Sequence, residues 1–317
     1  MPNATQQLEQ VIDRIRRARN FDFHNYKRAT IQRRVERRMS DRQCGTMTEY
    51  VALLDRSPEE YDALLASLFI KVTSFFRDEE TWDLLANKVL PDLVTGKSPG
   101  DQIRIWSAGC ATGEEVYSAA MLLAELLGPK IQNYQVKVFG TDVDEGAIAH
   151  ARHGFYSAKA VAELSKERLS RFFTRVPGGY SVSKDLRRLV VFGVNNLVSD
   201  APISHLDLLL CRNVFIYVDA ALQKRVLSRF HYALRHGGAL VLGKSELIPF
   251  AAKIFEPIDP SRRVYRRGAR GASTNVDGLL GQLEQEEVAR AVRQGREELA
   301  GGNADLNRDA LQSMPLP

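Results

Sequence analysis

No stretch of the 317-residue chain carries the run of about 18 apolar residues that a membrane span needs, and the N-terminus has no apolar segment of the signal-peptide kind. Cysteine is scarce too. Cys44, Cys110 and Cys211 stand apart without C-x-x-C spacing, which argues against a disulfide framework or a zinc site and for a reducing compartment, the cytoplasm. The histidines form no ligand set; His150 and His153 share a helix face without a third donor nearby, so no metal is expected. Ser-His-Asp and paired-acid patterns are missing, and so is the G-x-G-x-x-G turn of dinucleotide binding. The chain that remains is long and apolar enough to fill one large or two modest domains.

What is present centres on residues 103–142. Ile103–Ala108 is a short apolar run that predicts a buried strand, Gly109 and Gly113 bracket a tight turn, Glu114–Leu127 has helical apolar spacing, and Val136–Gly140 is a second strand leading to Asp142. Strand, glycine turn, helix, and a strand ending in a carboxylate form the opening unit of a nucleotide-type α/β fold, with the acid placed to accept ribose hydroxyls. Glu114 and Glu115 occupy the first turn of that helix, where a phosphate would be repelled and an ammonium accepted. S-adenosylmethionine has a ribose, an α-ammonium and no phosphate. The two acids would also suit a helix N-terminus through the dipole alone.

The net charge of +5 matters only for its position. Residues 14–42 hold eleven Arg or Lys against Asp22, Glu36 and Asp41. In the helix expected over Lys27–Arg42, Ile31, Val35 and Met39 form a narrow apolar stripe. Lys27, Arg33, Arg34, Arg37 and Arg38 share an arc away from it, at about 100° per residue. A solvated face normally carries acidic i,i+4 partners, which are nearly absent here; the ridge reads as a surface for an acidic partner.

Helices are also expected at Leu8–Arg19, Thr46–Asp55, Pro58–Phe69 (capped by Ser57) and Glu79–Leu90 (capped by Asp78). Thr95–Asp101 reads as a polar hinge, which divides an N-terminal helical domain, 1–95, from a catalytic domain, 96–267. Leu164–Phe173 looks helical, and strands at Tyr180–Ser183 and Leu189–Phe192 suggest a small antiparallel β-insert at about 155–190. Leu206–Cys211 and Ala239–Leu242 are further buried strands, and Lys253–Ile258 with Arg262–Arg266 would close the sheet. Residues 268–317 read as a linker, a weak helix and a disordered tail.

Four motifs occur in order within residues 73–217: T-S-F-F-R-D (73–78), S-A-G-C-A-T-G-E-E-V-Y-S (107–118), T-D-V-D (141–144) and C-R-N-V-F-I-Y (211–217). Residues 1–267 thereby resemble the CheR family, chemotaxis receptor methyltransferases. The resemblance implies a class I S-adenosylmethionine methyltransferase: a Rossmann-like α/β domain with a seven-stranded sheet, an N-terminal all-α domain and a small antiparallel β-insert. It implies protein-glutamate O-methylation of chemoreceptor cytoplasmic helices by a cytoplasmic monomer, with S-adenosylhomocysteine as product. The family's cofactor contacts fall on Thr73, Arg77, Glu115, Asp142, Asn195, Asn196, Arg212 and Asn213, and its tyrosine near the transferred methyl on Tyr217; Arg77 and Tyr217 are the catalytic candidates. Arg33, Arg34, Arg37 and Arg38 would meet the receptor's acidic methylation helices. Two positions depart from the family pattern: Lys71 stands where Asn is frequent, and Val116 replaces a proline.

Two other readings compete. A nucleic-acid methyltransferase acting on exocyclic amines would carry N/D-P-P-Y/F where this chain has Arg212-Asn213-Val214-Phe215-Ile216-Tyr217; a catalytically inert cofactor-binding module would not need intact Arg77, Glu115, Asp142 and Tyr217. Some family members also hold a receptor C-terminal pentapeptide as an added strand on the β-insert. Here the compact span Phe173–Val190, guarded by Lys184, Arg187 and Arg188, predicts that no such tether is needed.

Overall fold

The computed structural model describes residues 4–19, 21–69 and 72–268, with Gly278 and Gly281 beyond them. Lys71 lies outside the described residues, as does the expected tail apart from Gly268 and those two glycines. Four helices come first: α1 Ala4–Arg19, α2 Arg28–Asp41, α3 Met47–Arg56 and α4 Pro58–Leu68. Leu8, Val11, Ile12 and Ile15 line one stripe of α1 and pack with Ile31, Val35, Tyr50, Leu54 and Leu64 into a core of their own. A capping box starts α3: the Glu49 N–H donates to the Thr46 hydroxyl at 3.2 Å, and the Glu49 carboxylate accepts the Thr46 N–H at 3.2 Å. Pro58 opens α4 as expected, but the Ser57 hydroxyl donates to Glu59 at 3.0 Å and caps nothing.

The charge balance missing from 14–42 comes from other helices. Arg14 pairs with Asp55 at 3.0 Å, Arg19 with Asp62 at 2.6 Å and Arg28 with Glu9 at 2.6 Å. Arg38, expected on the partner-facing ridge, instead turns inward with Arg42 onto Glu60, at 2.7 and 2.6 Å. The Glu60 side chain is fully buried and also accepts the Tyr50 hydroxyl at 2.9 Å. A buried carboxylate demands such partners, which is why Arg38 is drawn from the surface. Arg33, Arg34 and Arg37 make no hydrogen bond or ion pair among the described residues.

The second part begins with α5 Glu79–Leu84, which passes through a π turn (Leu85–Val89) into α6 Leu90–Thr95. There follow β1 Gln102–Ala108, α7 Glu114–Leu127, β2 Gln135–Asp142, α8 Glu145–His153, β3 Phe155–Tyr156, α9 Lys166–Phe172, β4 Phe173–Val176, β5 Gly179–Val182, α10 Lys184–Arg188 and β6 Val190–Val194. The chain finishes with β7 Leu206–Cys211, a 3-10 turn at Phe215–Tyr217, α11 Ala220–Ala233, β8 Leu234–Leu242, α12 Ala251–Ile254, β9 Glu256–Asp259 and β10 Val264–Arg266. The main sheet has seven strands in the order β6-β2-β1-β7-β8-β10-β9. The first five are parallel and β10 is antiparallel to both neighbours. This is the seven-stranded arrangement that the resemblance implies, and its carboxyl edge reverses order between β1 and β7, where ligands bind in such folds. Ile105, Val138, Leu208 and Leu210 form the buried layer facing α7. Among the described residues no helix is long and apolar enough to cross a membrane.

Three details differ from expectation. Residues 75–90 precede the expected boundary, yet Phe75, Trp82, Leu85, Val89 and Leu90 belong to the core beneath the sheet. The expected hinge is pinned: Lys97 is buried against Asp207 at 2.8 Å, and the Gln135 N–H donates to the Asp101 carbonyl at 3.0 Å. In the insert, β5 pairs with β4 and β3, whereas Val190–Val194 joins the main sheet beside β2. Lys184, Arg187 and Arg188 lie on α10, between β5 and β6, and not on a strand of the insert.

The Glu60 cluster yields a stability prediction. Burial opposes its charge, but Arg38, Arg42 and Tyr50 outweigh burial and hold the carboxyl below its ordinary value of 4.5. A depressed folded pKa gives stabilisation that is complete above pH 4.5 and lost as the pH falls through the folded value. Glu60→Ala should cost about 2–4 kcal/mol in denaturant unfolding at neutral pH, with a smaller deficit in acid.

Candidate active site

The site forms at the carboxyl edge of β1, β2 and β7. After β1 the backbone turns through Gly109 at φ +76° and Ala111 at φ +46°. A Cβ on Gly109 would collide with Val214 Cγ2, so glycine is needed where this turn passes the loop after β7. The turn grips Asp142: the Ala111 N–H donates to its Oδ2 at 2.8 Å and the Asp144 N–H to its Oδ1 at 3.0 Å. Burial lifts the Asp142 carboxyl above its ordinary value, against the pull of those amides. The two acids of the next helix turn have different fates. Glu114 is buried, receives the Thr112 hydroxyl at 2.7 Å and has its pKa raised by burial. Only Glu115 lines the cleft, with the Ser107 hydroxyl on Oε1 at 2.8 Å.

The T-S-F-F-R-D segment closes one side. Phe76 and Asp78 both adopt left-handed backbone, at φ +50° and +60°. Arg77 lies between them and lines the cleft. Phe75 holds the segment edge-on against Tyr156 and Phe173, at centroid distances of 4.9 and 5.5 Å. Asp78 stands at the start of α5 but caps nothing; its carboxylate goes to Arg212 at 2.6 Å. Arg212, its side chain 2% exposed, also reaches Glu115 at 3.3 Å and the Arg77 carbonyl at 2.7 Å.

The loop after β7 brings Asn213 (φ +63°) and Tyr217 to the same cleft. It is stitched to the helical domain: the Lys27 N–H donates to the Tyr217 carbonyl and the Asp219 N–H to the Asn25 carbonyl, both at 2.9 Å, flanking an antiparallel bridge between Tyr26 and Val218. Burial raises the Tyr217 hydroxyl above its ordinary value of 10.0, while the positive charges of Arg77, Arg34 and Arg33 lower it.

Two adjoining cavities make up the cleft. Thr73, Arg77, Glu115 and Arg212 line one; Asp142, Asn195 and Asn196 line the other; Asn213 and Tyr217 belong to both. Every cofactor and catalytic position nominated from the sequence therefore lies on one continuous surface. Not nominated were Phe21, Tyr26 and Phe69, which the helical domain contributes to the second cavity beside Asp142. Phe21 and Tyr26 lie in the loop between α1 and α2 and Phe69 at the end of α4, and nothing local assigns either place to a ligand. The donor set suits S-adenosylmethionine: carboxylates for ribose and ammonium, Arg77 for a carboxylate, amides for a base, and aromatic surface. Asn195 Oδ1 and Arg212 Nε are buried without partners, as polar atoms that meet a ligand would be.

Comparison with known proteins agrees. The family model described as CheR methyltransferase, SAM binding domain, matches residues 71–264, and that for the CheR methyltransferase all-alpha domain matches 6–69. A 104.1 kDa uncharacterized protein of Rhodobacter capsulatus is 38% identical over 86% of this chain, which spans only 29% of that protein's length. The putative methyltransferase Cher3 of Pseudomonas putida is 33% identical, with 84% of this chain and 98% of that protein covered. Chemotaxis protein methyltransferase 2 of Vibrio cholerae is 33% identical, with 74% and 82% covered. The domain matched by the first of these models binds S-adenosylmethionine, which is the cofactor of this site.

A carboxylate whose pKa is raised becomes neutral, and a weaker acceptor, at a higher pH than an exposed one. Cofactor affinity measured by calorimetry should therefore fall as the pH is lowered, beginning above the ordinary carboxylate range. Asp142→Asn should weaken binding at neutral pH by about 1–2 kcal/mol and flatten that dependence. Unchanged affinity would remove Asp142 from the site.

Proposed function

We propose, on the premise that this chain belongs to the CheR family of methyltransferases, that it esterifies glutamate side chains on the acidic helical methylation region of a chemoreceptor in the cytoplasm. The observation that carries this reading is the meeting of Arg77 and Tyr217 in one cavity, with the unpaired Arg33 and Arg34 near enough to act on the tyrosine hydroxyl. That combination offers cations and a hydrogen-bond donor to an incoming carboxylate.

A glutamate side chain, with an ordinary pKa of about 4.3, is already ionised at neutral pH and needs no general base. The absence of acid–base machinery from the sequence is then expected, and the task is positioning. Bound S-adenosylmethionine supplies an electrophilic methyl on a sulfonium. Asp142 accepts hydrogen bonds from the ribose, Glu115 faces the ammonium, and Asn195 and Asn196 meet the base. Arg77 neutralises a carboxylate, either the donor's or the acceptor's. Tyr217, protonated at neutral pH, orients the acceptor through its hydroxyl. Arg33, Arg34 and Arg37 form the receptor-facing ridge; Arg38 is committed to Glu60 and leaves it.

The decisive assay is transfer of radiolabelled methyl to receptor cytoplasmic fragments. Base-labile label on the receptor is the expected result; label on DNA or RNA would overturn the assignment. Tyr217→Phe should lower turnover and leave cofactor affinity nearly intact. Charge reversal at Arg33, Arg34 and Arg37 together should weaken receptor methylation without changing cofactor binding. Wild-type methylation should decline with added salt, because exposed charges are screened beyond about 8–10 Å at physiological ionic strength.

A further inference from the structure

The segment Gly243–Leu247, just after β8, has no part in the reading above. Glu246 within it is only 3% exposed. Its Oε2 accepts the Gly243 N–H at 2.6 Å, and its own N–H returns to the Gly243 carbonyl at 2.8 Å. Oε1 is buried and has no well-formed hydrogen bond. A Cβ on Gly243 would lie 2.7 Å from Glu246 Oε2 and 2.9 Å from the Asn213 nitrogen. The missing side chain is what lets the carboxylate press against the loop that carries Asn213 and Tyr217. The leading amides of that loop have no acceptor within its short 3-10 turn, Phe215–Tyr217. Burial raises the Glu246 pKa, and the amides of Asn213, Phe215 and Ile216 act against the rise, as amides turned towards a carboxylate must.

We infer that Glu246 is a positioning residue, whose buried carboxylate, held by the Gly243 N–H, packs at the start of the Asn213–Tyr217 loop and so fixes Asn213 in the cofactor cleft and Tyr217 beside Arg77. A carboxylate is the suitable group, because it only accepts hydrogen bonds and the loop amides only donate. A glutamine at 246 would turn an NH2 group towards those donors. The role of Tyr217 assumed here rests on the function proposed above; the role of Asn213 requires only that the cleft holds the cofactor.

Glu246→Gln tests the assignment in the full chain. Cofactor affinity is read by calorimetry with S-adenosylmethionine, turnover by methyl transfer to a receptor fragment, and folding by thermal unfolding. The expected result is a cofactor Kd raised several-fold and kcat lowered about tenfold, with the KM for receptor unchanged, a split that general loosening of the fold would not give. Tyr217→Phe added to Glu246→Gln should cost less in kcat than it does alone, since both act through one loop. Glu246→Asp, which keeps the charge but withdraws it from the loop, should reproduce the changes and serves if Glu246→Gln folds poorly. Wild-type cofactor affinity and kcat in these variants, or a Tyr217→Phe effect of undiminished size, would overturn the inference. Should the wild-type chain methylate no receptor, the proposed function fails, and the calorimetric comparison still decides whether Glu246 holds Asn213.

Discussion

One buried cation sets how the catalytic cleft is assembled. The Arg212 guanidinium has almost no access to water, and an ion in that position is stable only with partners of good geometry. Those three partners come from two places: Asp78 and the Arg77 carbonyl from the T-S-F-F-R-D segment, and Glu115 from the first turn of α7. Arg212 itself directly follows β7. Its charge thus determines where the linker, the helix and the strand meet. A buried ion pair adds little net stability, because desolvation offsets most of the Coulomb attraction. It is selective about geometry, however, and the arrangement of these segments satisfies it. The left-handed backbone at Phe76 and Asp78, which costs energy in non-glycine residues, is held by that requirement.

A second constraint joins the domains. The Tyr26–Val218 bridge and its flanking hydrogen bonds occupy the residues directly after Tyr217. The helical domain is therefore attached to the backbone of the loop whose side chains line the cleft. The same domain supplies Phe21, Tyr26 and Phe69 to the cofactor cavity, and α2 begins immediately after the bridge. The cationic ridge on α2 and the tyrosine of the site are consequently parts of one hydrogen-bonded unit.

Local pattern accounts for much of this. The apolar runs at 103–108 and 206–211 form neighbouring buried strands, and the glycine turn between β1 and α7 falls where its spacing predicts. The four motifs converge because each sits at the carboxyl end of a strand or in the segment that packs over it. The elements misread depend on partners far along the chain. Arg38 looked free because Glu60 lies 22 residues away on another helix. Lys97 looked like hinge polarity because Asp207 sits inside an apolar strand more than a hundred residues later. Asp78 had the chemistry of a helix cap, but a buried guanidinium is the stronger claim on a carboxylate. The hairpin was paired with the wrong strand because Phe173 begins a strand immediately after a short helix, leaving no turn residue to mark the change.

The same contrast explains why a site can be legible while its support is not. Residues that touch a ligand cluster into motifs because each turn at the sheet edge must present several of them together. Groups that hold those turns need only reach a backbone amide or carbonyl, and any acceptor at the right point in space will serve, whatever its neighbours in sequence. Glu246 and the Tyr26 bridge are of this second kind. Methyl transfer without a general base leaves the protein little to supply besides placement, and small displacements of the reacting groups are expensive in rate. In such an enzyme the contacts that support the cleft matter as much as the residues proposed to act in it, Arg77 and Tyr217, and only the folded chain reveals them.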